Sequence, residues 1–318
     1  DSFKLSVIIP CYNEKQTIDS IIKKVIQSLI NYKFLNYEIL IIDDHSKDGT
    51  IEVLKNLSQE EKISIYFHES NLGKGAAIQT ALKYVTGDLI IIQDADLEYD
   101  PFDYNKLLIP FFETNADVVY GSRFLGGGKY VRIHFFWHYL ANKILTFICN
   151  LFINLNLTDM ETGYKVFKTD VLKSISLKEK TFSFEPEVTI KLSKKKYKFF
   201  EVPITYNGRS YQEGKKIGLK DAFIALKTII LYSFKLTACS SEKFTRADND
   251  HAQLNANLKQ YQEIATCYSK RASAFLVVSL NGYNPMDKRR QMLSCTTIFT
   301  LTVNLYNSTV WHKSTTDW

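Results

Sequence analysis

LIIIQDADLEYD, residues 89–100, sets a short uncharged apolar run directly against a cluster of acidic side chains. The run Leu89–Ile92 is too short for a helix and carries no polar alternation, which is the pattern of a strand buried on both faces. Strands of that kind belong to parallel sheets covered by helices, and ligands of such sheets gather just beyond the carboxyl ends of the strands. The acids Asp94, Asp96 and Glu98 follow the strand at that end. Working toward the N-terminus, the same arrangement recurs. Leu5–Ile9 runs into PCYNE (10–14), Tyr37–Ile42 runs into DDHSKDGT (43–50), and Ile63–Phe67 forms a fourth run. Helical patterns separate them. Ile18, Ile21, Ile22, Val25 and Leu29 recur at helical spacing over Thr17–Leu29, and further helices are expected over Thr50–Leu57 and Ala76–Val85. The chain therefore reads as α/β, with a mostly parallel sheet and helices on both faces.

Downstream the texture changes. GGGKYVR (126–132) is a basic glycine-rich loop, and His134–Leu157 is rich in Phe, Leu and Ile, as expected for one or two amphipathic helices with a wide apolar face. Strand and helix pieces are expected over Thr162–Leu172, Phe182–Leu192 and Phe199–Tyr206, and a long apolar helix over Leu219–Leu236, preceded by GRSYQEGKKIG. Residues 1–237 read as one domain, whose halves over 1–125 and 126–237 differ in texture. Residues 238–318 form a tail without a clear period, to which no role is assigned.

The net charge of +6 favours phosphates or anionic lipid. Nucleic acid is disfavoured, because acids occupy the place where a ligand of this sheet should lie. Cys11, Cys149, Cys239, Cys267 and Cys295 form no CxxC pair and no zinc-like spacing, as expected of reduced thiols in the cytosol. No apolar run is long enough to span a bilayer.

Asp94 and Asp96 are the sharpest candidates. Two carboxylates one residue apart at a strand end can hold one hard divalent cation whose remaining ligands are phosphate oxygens. The competing possibility is a plain acidic turn. Asp43 and Asp44 could accept from a base or ribose, or cap the helix beginning at Thr50, a task open also to Ser46 and Asp48. Pro10, Tyr12 and Glu14 could grip a base, although Tyr12 could equally be packing. Arg123, Arg132 and Arg209 are candidate phosphate clamps, and Lys215 and Lys216 lie in a loop able to cover a diphosphate. Each is otherwise an ordinary surface cation. His45 and His68 suggest no role.

In order, PCYNE, DDHSKDGT, NLGKGAA, QDADLEYDP, VVYGSRF, DMETGYKVFK, FEPEVTIKL and GRSYQEGKKIG resemble the motifs of family 2 glycosyltransferases, especially the dolichyl-phosphate mannose and glucose synthases and their bacterial polyprenyl-phosphate relatives. The resemblance covers roughly Leu5–Leu236. It implies a GT-A type, Rossmann-like domain with amphipathic membrane-surface helices. It places Pro10, Tyr12, Glu14, Asp43 and Asp44 at the nucleotide, and Asp94 and Asp96 on Mg²⁺ or Mn²⁺, with Glu98 in reach where mannose synthases often carry Gln. That departure leaves a GDP-mannose or UDP-glucose donor open. By the same resemblance Arg123 and Arg132 hold an acceptor phosphate and Arg209 with Lys215 the donor diphosphate, so that Asp96, Arg123 and Arg209 carry catalysis. His134–Phe152 would lie on the inner, cytoplasmic face of a membrane.

The implied reaction is transfer of a hexose from a nucleotide diphosphate-sugar to a polyprenyl phosphate with inversion. An acceptor that is already an anion needs no strong base. A soluble hydroxyl acceptor would need one, for which Asp159, Glu161 and Glu185 are the candidates. A protein that binds a nucleotide-sugar without turnover is the third reading.

Overall fold

The computed structural model describes residues 3–30, 36–57, 62–126, 136–209 and 219–235. Arg132, Lys215, Lys216 and the 238–318 tail lie outside these. The apolar runs form β1 (Lys4–Cys11), β2 (Asn36–Asp43), β3 (Ile63–Phe67) and β4 (Leu89–Ile92). They pair in parallel with β1 between β2 and β4, so that Val7 stands against Ile39 on one side and Ile91 on the other. Alternate residues of each strand enter two separate cores. Leu5, Val7 and Ile9 pack with Ile18, Ile21 and Ile22 of α1 (Ile18–Ile30) and with Leu107, Leu108 and Phe111 of α4 (Tyr104–Glu113). Ile8, Ile90 and Ile92 face the other way, into a core that holds Ala77 and Ile78 of α3 (Lys74–Ala81). A short helix, α2 (Thr50–Leu57), contributes Leu54 to the first core. Burial on both faces explains why β1, β4 and the later part of β2 carry no polar alternation, whereas β3, at the sheet edge, is partly exposed.

The expected sheet of parallel strands extends further. Its order is β3-β2-β1-β4-β6-β5-β7, with β5 at Val118–Ser122, β6 at Lys165–Lys168 and β7 at Phe199–Pro203. β6 runs antiparallel to both β4 and β5, so the sheet is mostly but not wholly parallel. β6 is followed at once by a one-turn helix, α6 (Thr169–Lys173), which resolves the segment expected over Thr162–Leu172. The helix expected over Ala76–Val85 begins earlier, at Lys74. Gly73 adopts φ of +98° at its N-terminus, which only glycine does readily, and a Cβ there would run into the Lys180 carbonyl.

The apolar segment beginning at His134 forms one helix, α5 (Phe136–Ile153), which stops at Asn154 with φ of +55°. Leu145 and Cys149 point into the second core together with Ile229 of α8 (Leu219–Lys235). The opposite face of α5 exposes Trp137 (75%), Ile144 (48%), Phe147 (62%) and Leu151 (64%), which recur at the spacing of one helical stripe. No helix among the described residues is long and apolar enough to cross a membrane.

Between β6 and β7 lies α7 (Phe184–Lys194). Its Glu187 is fully buried and accepts from the backbone N–H groups of Lys178 and Glu179, each at 2.8 Å, while Lys191 supplies the counter-charge. This holds the 178–181 segment against the glycines at the start of α3, where the Ala76 N–H donates to the Lys180 carbonyl. Removing one member of a buried ion pair leaves the other uncompensated. Glu187→Ala should therefore lower stability by about 3 kcal/mol in urea unfolding. A loss under roughly 1 kcal/mol would mean the 178–181 segment is held by packing alone.

Candidate active site

The carboxyl ends of β1, β2 and β4 deliver their polar clusters to one edge of the sheet. The loop after β1 is knitted to the loop after β2. The Asn13 N–H donates to Ser46 Oγ at 2.9 Å, the Lys47 N–H to Asn13 Oδ1 at 2.8 Å, and the Glu14 N–H to Thr50 Oγ1 at 3.0 Å. Asp48, rather than Asp43 or Asp44, caps α2 by accepting from the Thr50 N–H at 3.0 Å. Asp43 is fully buried. Its Oδ2 accepts from the Ser46 N–H, and its Oδ1 has no hydrogen-bond partner. Asp44 is the anchor of the glycine-rich loop before α3, accepting from the N–H groups of Leu72 and Gly73 at 2.8 and 2.7 Å. His68, to which the sequence assigns nothing, lies 2.7 Å from Asp44 by Nδ1 and 2.9 Å from Thr80 Oγ1 by Nε2.

The two aspartates after β4 have separate cationic partners. Lys74 Nζ, at the start of α3, lies 2.8 Å from Asp94 Oδ1 and 3.0 Å from Glu185 Oε1. Burial would push this ammonium down, but Asp94 and Glu185 hold it above the usual lysine range. Asp94 fits because Gly163 faces it; any Cβ at that position would collide with Asp94 Oδ2. Asp96 instead meets Arg209, whose Nη2 is 2.9 Å from Oδ2 and whose Nη1 is 3.3 Å from Glu14 Oε2. Burial, with Asp94 and Glu98 alongside, raises the proton affinity of Asp96 above that of an ordinary carboxyl, and Arg209 only partly offsets this.

Glu98 has a different occupation from the ion contact expected of it. Its Oε1 accepts from the Arg209 N–H at 2.7 Å and its Oε2 from the Tyr206 hydroxyl at 2.6 Å, which ties the 206–209 segment to the strand-end loop. Arg123 sits across the Tyr206 ring, 5.2 Å from its centroid. It forms a two-point pair with fully buried Asp159, by Nε at 2.7 Å and Nη2 at 2.8 Å. Burial alone would raise the Asp159 carboxyl, but Arg123 holds it below the usual range.

The structure thus brings Glu14, Asp94, Asp96, Glu98, Arg123 and Arg209 to one edge, with Pro10 and Tyr12 at the end of β1 beside Asp43. Among the described residues, no three Asp, Glu, His or Cys side chains are placed to hold a metal ion by themselves. Asp94 and Asp96 suit a cation that takes its other ligands from a phosphate-bearing molecule and water, the usual habit of Mg²⁺. The raised proton affinity of Asp96 reflects an excess of negative charge that such an ion would relieve. Sequence reasoning missed Lys74 and His68. The sign was present for Lys74, a lone cation set between the glycines of NLGKG directly before a buried helix.

Residues 6–176 match the profile of glycosyl transferase family 2, and the chain belongs to that family. It is 30% identical over 217 residues to a dolichol-phosphate mannosyltransferase of Pyrococcus furiosus, a match covering 68% of this chain and 60% of that relative's length. It is 25% identical over 256 residues to a dolichyl-phosphate beta-glucosyltransferase of Trichomonas vaginalis, covering 76% of this chain and 77% of the relative. Its fold is similar to that of glucosyl-3-phosphoglycerate synthase from Mycobacterium tuberculosis, solved with Mn²⁺, UDP and phosphoglyceric acid. The TM-score is 0.56 at 18% identity over 73% of this chain and 79% of the other.

If Asp44 shapes the glycine-rich loop, Asp44→Ala should free its amides. Hydrogen exchange at residues 71–75 should accelerate and stability fall by about 2 kcal/mol. Unchanged exchange there would remove Asp44 from this role.

Proposed function

We propose that this family 2 glycosyltransferase passes a hexose from a nucleoside diphosphate-sugar to a polyprenyl phosphate at the cytoplasmic face of a membrane. The observation that carries the choice of acceptor is the exposed stripe Trp137, Ile144, Phe147 and Leu151 on α5. A stripe of that width on one helix suits the headgroup boundary of a bilayer better than water. The same helix reaches the site, since Lys143 Nζ donates to the Thr158 carbonyl beside Asp159 and lies 4.5 Å from the Phe124 ring centroid. A lipid lying along the stripe would have its phosphate near Arg123. The dolichyl-phosphate transferases among the relatives support the same acceptor class.

The proposed step is a displacement at the anomeric carbon. A phosphate oxygen of the lipid forms the new C–O bond, the bond to the nucleoside diphosphate breaks, and its electron pair leaves with the diphosphate. No proton has to move. Asp94 and Asp96 would hold a Mg²⁺ or Mn²⁺ ion, which when bound supplies charge to the departing diphosphate. Arg209, already within reach of Asp96 and Glu14, would add a guanidinium to the same oxygens. Arg123 would offer its remaining nitrogen to the acceptor, with Asp159 fixing its orientation. Pro10, Tyr12, Glu14 and Asp43 would border the nucleotide.

A hydroxyl acceptor would require a carboxylate base. Asp159 has both oxygens on Arg123, and Glu161 is pushed above the usual range by burial and by Glu185, which favours the protonated acid over a base. Neither serves that chemistry well, and Glu185, the third candidate, has its charge balanced by Lys74 at 3.0 Å.

Asp96→Ala should reduce transfer to a polyprenyl phosphate by at least roughly 100-fold. Circular dichroism and thermal midpoint should stay near the parent's, because the lost carboxylate sits among like charges. Normal turnover would dismiss the cation site. Replacing Trp137, Phe147 and Leu151 together by Ser should cut partition onto phosphatidylglycerol–phosphatidylcholine vesicles by at least about 100-fold in flotation, given the apolar area lost. Equal flotation of the two proteins would remove the stripe from the membrane contact.

A further inference from the structure

Buried polar atoms without a partner gather near the start of α7. Glu185 is 4% exposed and Ser183 2%, and neither Glu185 Oε2 nor Ser183 Oγ has a hydrogen-bond partner. The nearby carboxyl of Glu161, on which Glu185 acts more strongly than any other ionisable neighbour, also leaves Oε1 without one. An unpartnered buried oxygen costs about 1–3 kcal/mol, so one such atom asks for an explanation and a group of them points to a ligand.

Glu185 is not free to turn away. Its other oxygen is held 3.0 Å from Lys74 Nζ, and the same ammonium is 2.8 Å from Asp94. The unpartnered oxygen is therefore kept one ammonium group away from the aspartate that would carry the diphosphate's cation. On the proposed reading, the part of the donor that lies next to its diphosphate is the hexose. A hexose ring presents hydroxyl donors around its rim, which matches carboxylate and serine oxygens that lack donors.

We infer that Glu185 is a specificity residue for the sugar: its Oε2 accepts a hydroxyl hydrogen bond from the transferred hexose, and Lys74 fixes it at the distance from Asp94 that this requires. This inference rests on the nucleotide-sugar reading above. It assigns Glu185 to recognition of the donor rather than to proton transfer. Loss of a hydrogen bond to a charged group should weaken sugar recognition without touching the nucleotide.

The test is calorimetric binding, with Mn²⁺, of GDP-mannose and UDP-glucose against bare GDP and UDP, comparing the parent with Glu185→Gln and with Glu185→Asp. The second variant keeps the charge beside Lys74 but withdraws the carboxylate. For whichever pair binds the parent, both variants should weaken the nucleotide-sugar by roughly 10- to 100-fold and leave the nucleoside diphosphate within about twofold. Variants that keep the parent's ratio of the two affinities would overturn the inference, including the case where they bind normally and lose only turnover, as a base would. A parent that binds none of the four ligands would overturn the nucleotide-sugar reading itself.

Discussion

The topology of this sheet creates an electrostatic problem, and much of the site is its solution. Parallel pairing sends the ends of β1 and β4 to the same edge, which puts Glu14, Asp94, Asp96 and Glu98 close together in a partly dehydrated place. Charges there cost several kcal/mol each unless compensated. Compensation comes from two cations distant in sequence, Lys74 at the start of α3 and Arg209 beyond β7. Each is fixed by other contacts. Glu185 holds Lys74, and Glu98 holds the backbone of Arg209. The acids therefore gather segments remote in sequence around themselves, and Asp96 still retains a raised affinity for a proton.

The same logic separates residues that build the edge from residues left available on it. Asp44 has its carboxylate on two backbone N–H groups and His68, so its negative charge is used in shaping the loop. Glu98 is similarly committed to Tyr206 and Arg209. Asp94 and Asp96 differ, since their charges are balanced by side-chain cations that a stronger cation could replace, although Asp96 Oδ1 also accepts a backbone N–H, from Glu98. A chemical role is better sought where the compensation is exchangeable than where it is woven into backbone.

How much of this was legible in the amino-acid sequence follows from the range of the forces involved. Leu5–Ile9, Tyr37–Ile42 and Leu89–Ile92 announced buried parallel strands, because burial on both faces leaves its mark on every residue. Asp94 and Asp96 were legible from their place after such a strand. A strand piece was expected within Thr162–Leu172, but the antiparallel direction of β6 was not legible, since it depends on partners far along the chain. Nor were the pairings Lys74–Glu185 and Arg209–Glu14, which join residues remote in sequence. His68 offered no local sign, because its meaning comes from Asp44 just beyond β2 and from Thr80 on α3. The expectation that Glu98 reaches an ion came from the family resemblance and its place after Asp96, and could not foresee Tyr206.

Arg123 and Asp159 bear on which acceptor the site suits. A guanidinium gripped at two points by a buried carboxylate is rigid, and Asp159 is in turn steadied by the Arg123 N–H at 3.1 Å. Such a pair is close to neutral, so it exerts little pull on a neutral hydroxyl, and it withholds the carboxylate that a hydroxyl would need as base. To a phosphate it offers a directed N–H whose orientation is already settled, and the acceptor brings its own negative charge to the reaction. Rigidity here favours a nucleophile that arrives ionised. The apolar stripe on α5 favours one that arrives on a hydrocarbon tail. These two features are independent in their physics, one a buried ion pair and the other an exposed surface, and a lipid phosphate, the acceptor proposed above, would satisfy both.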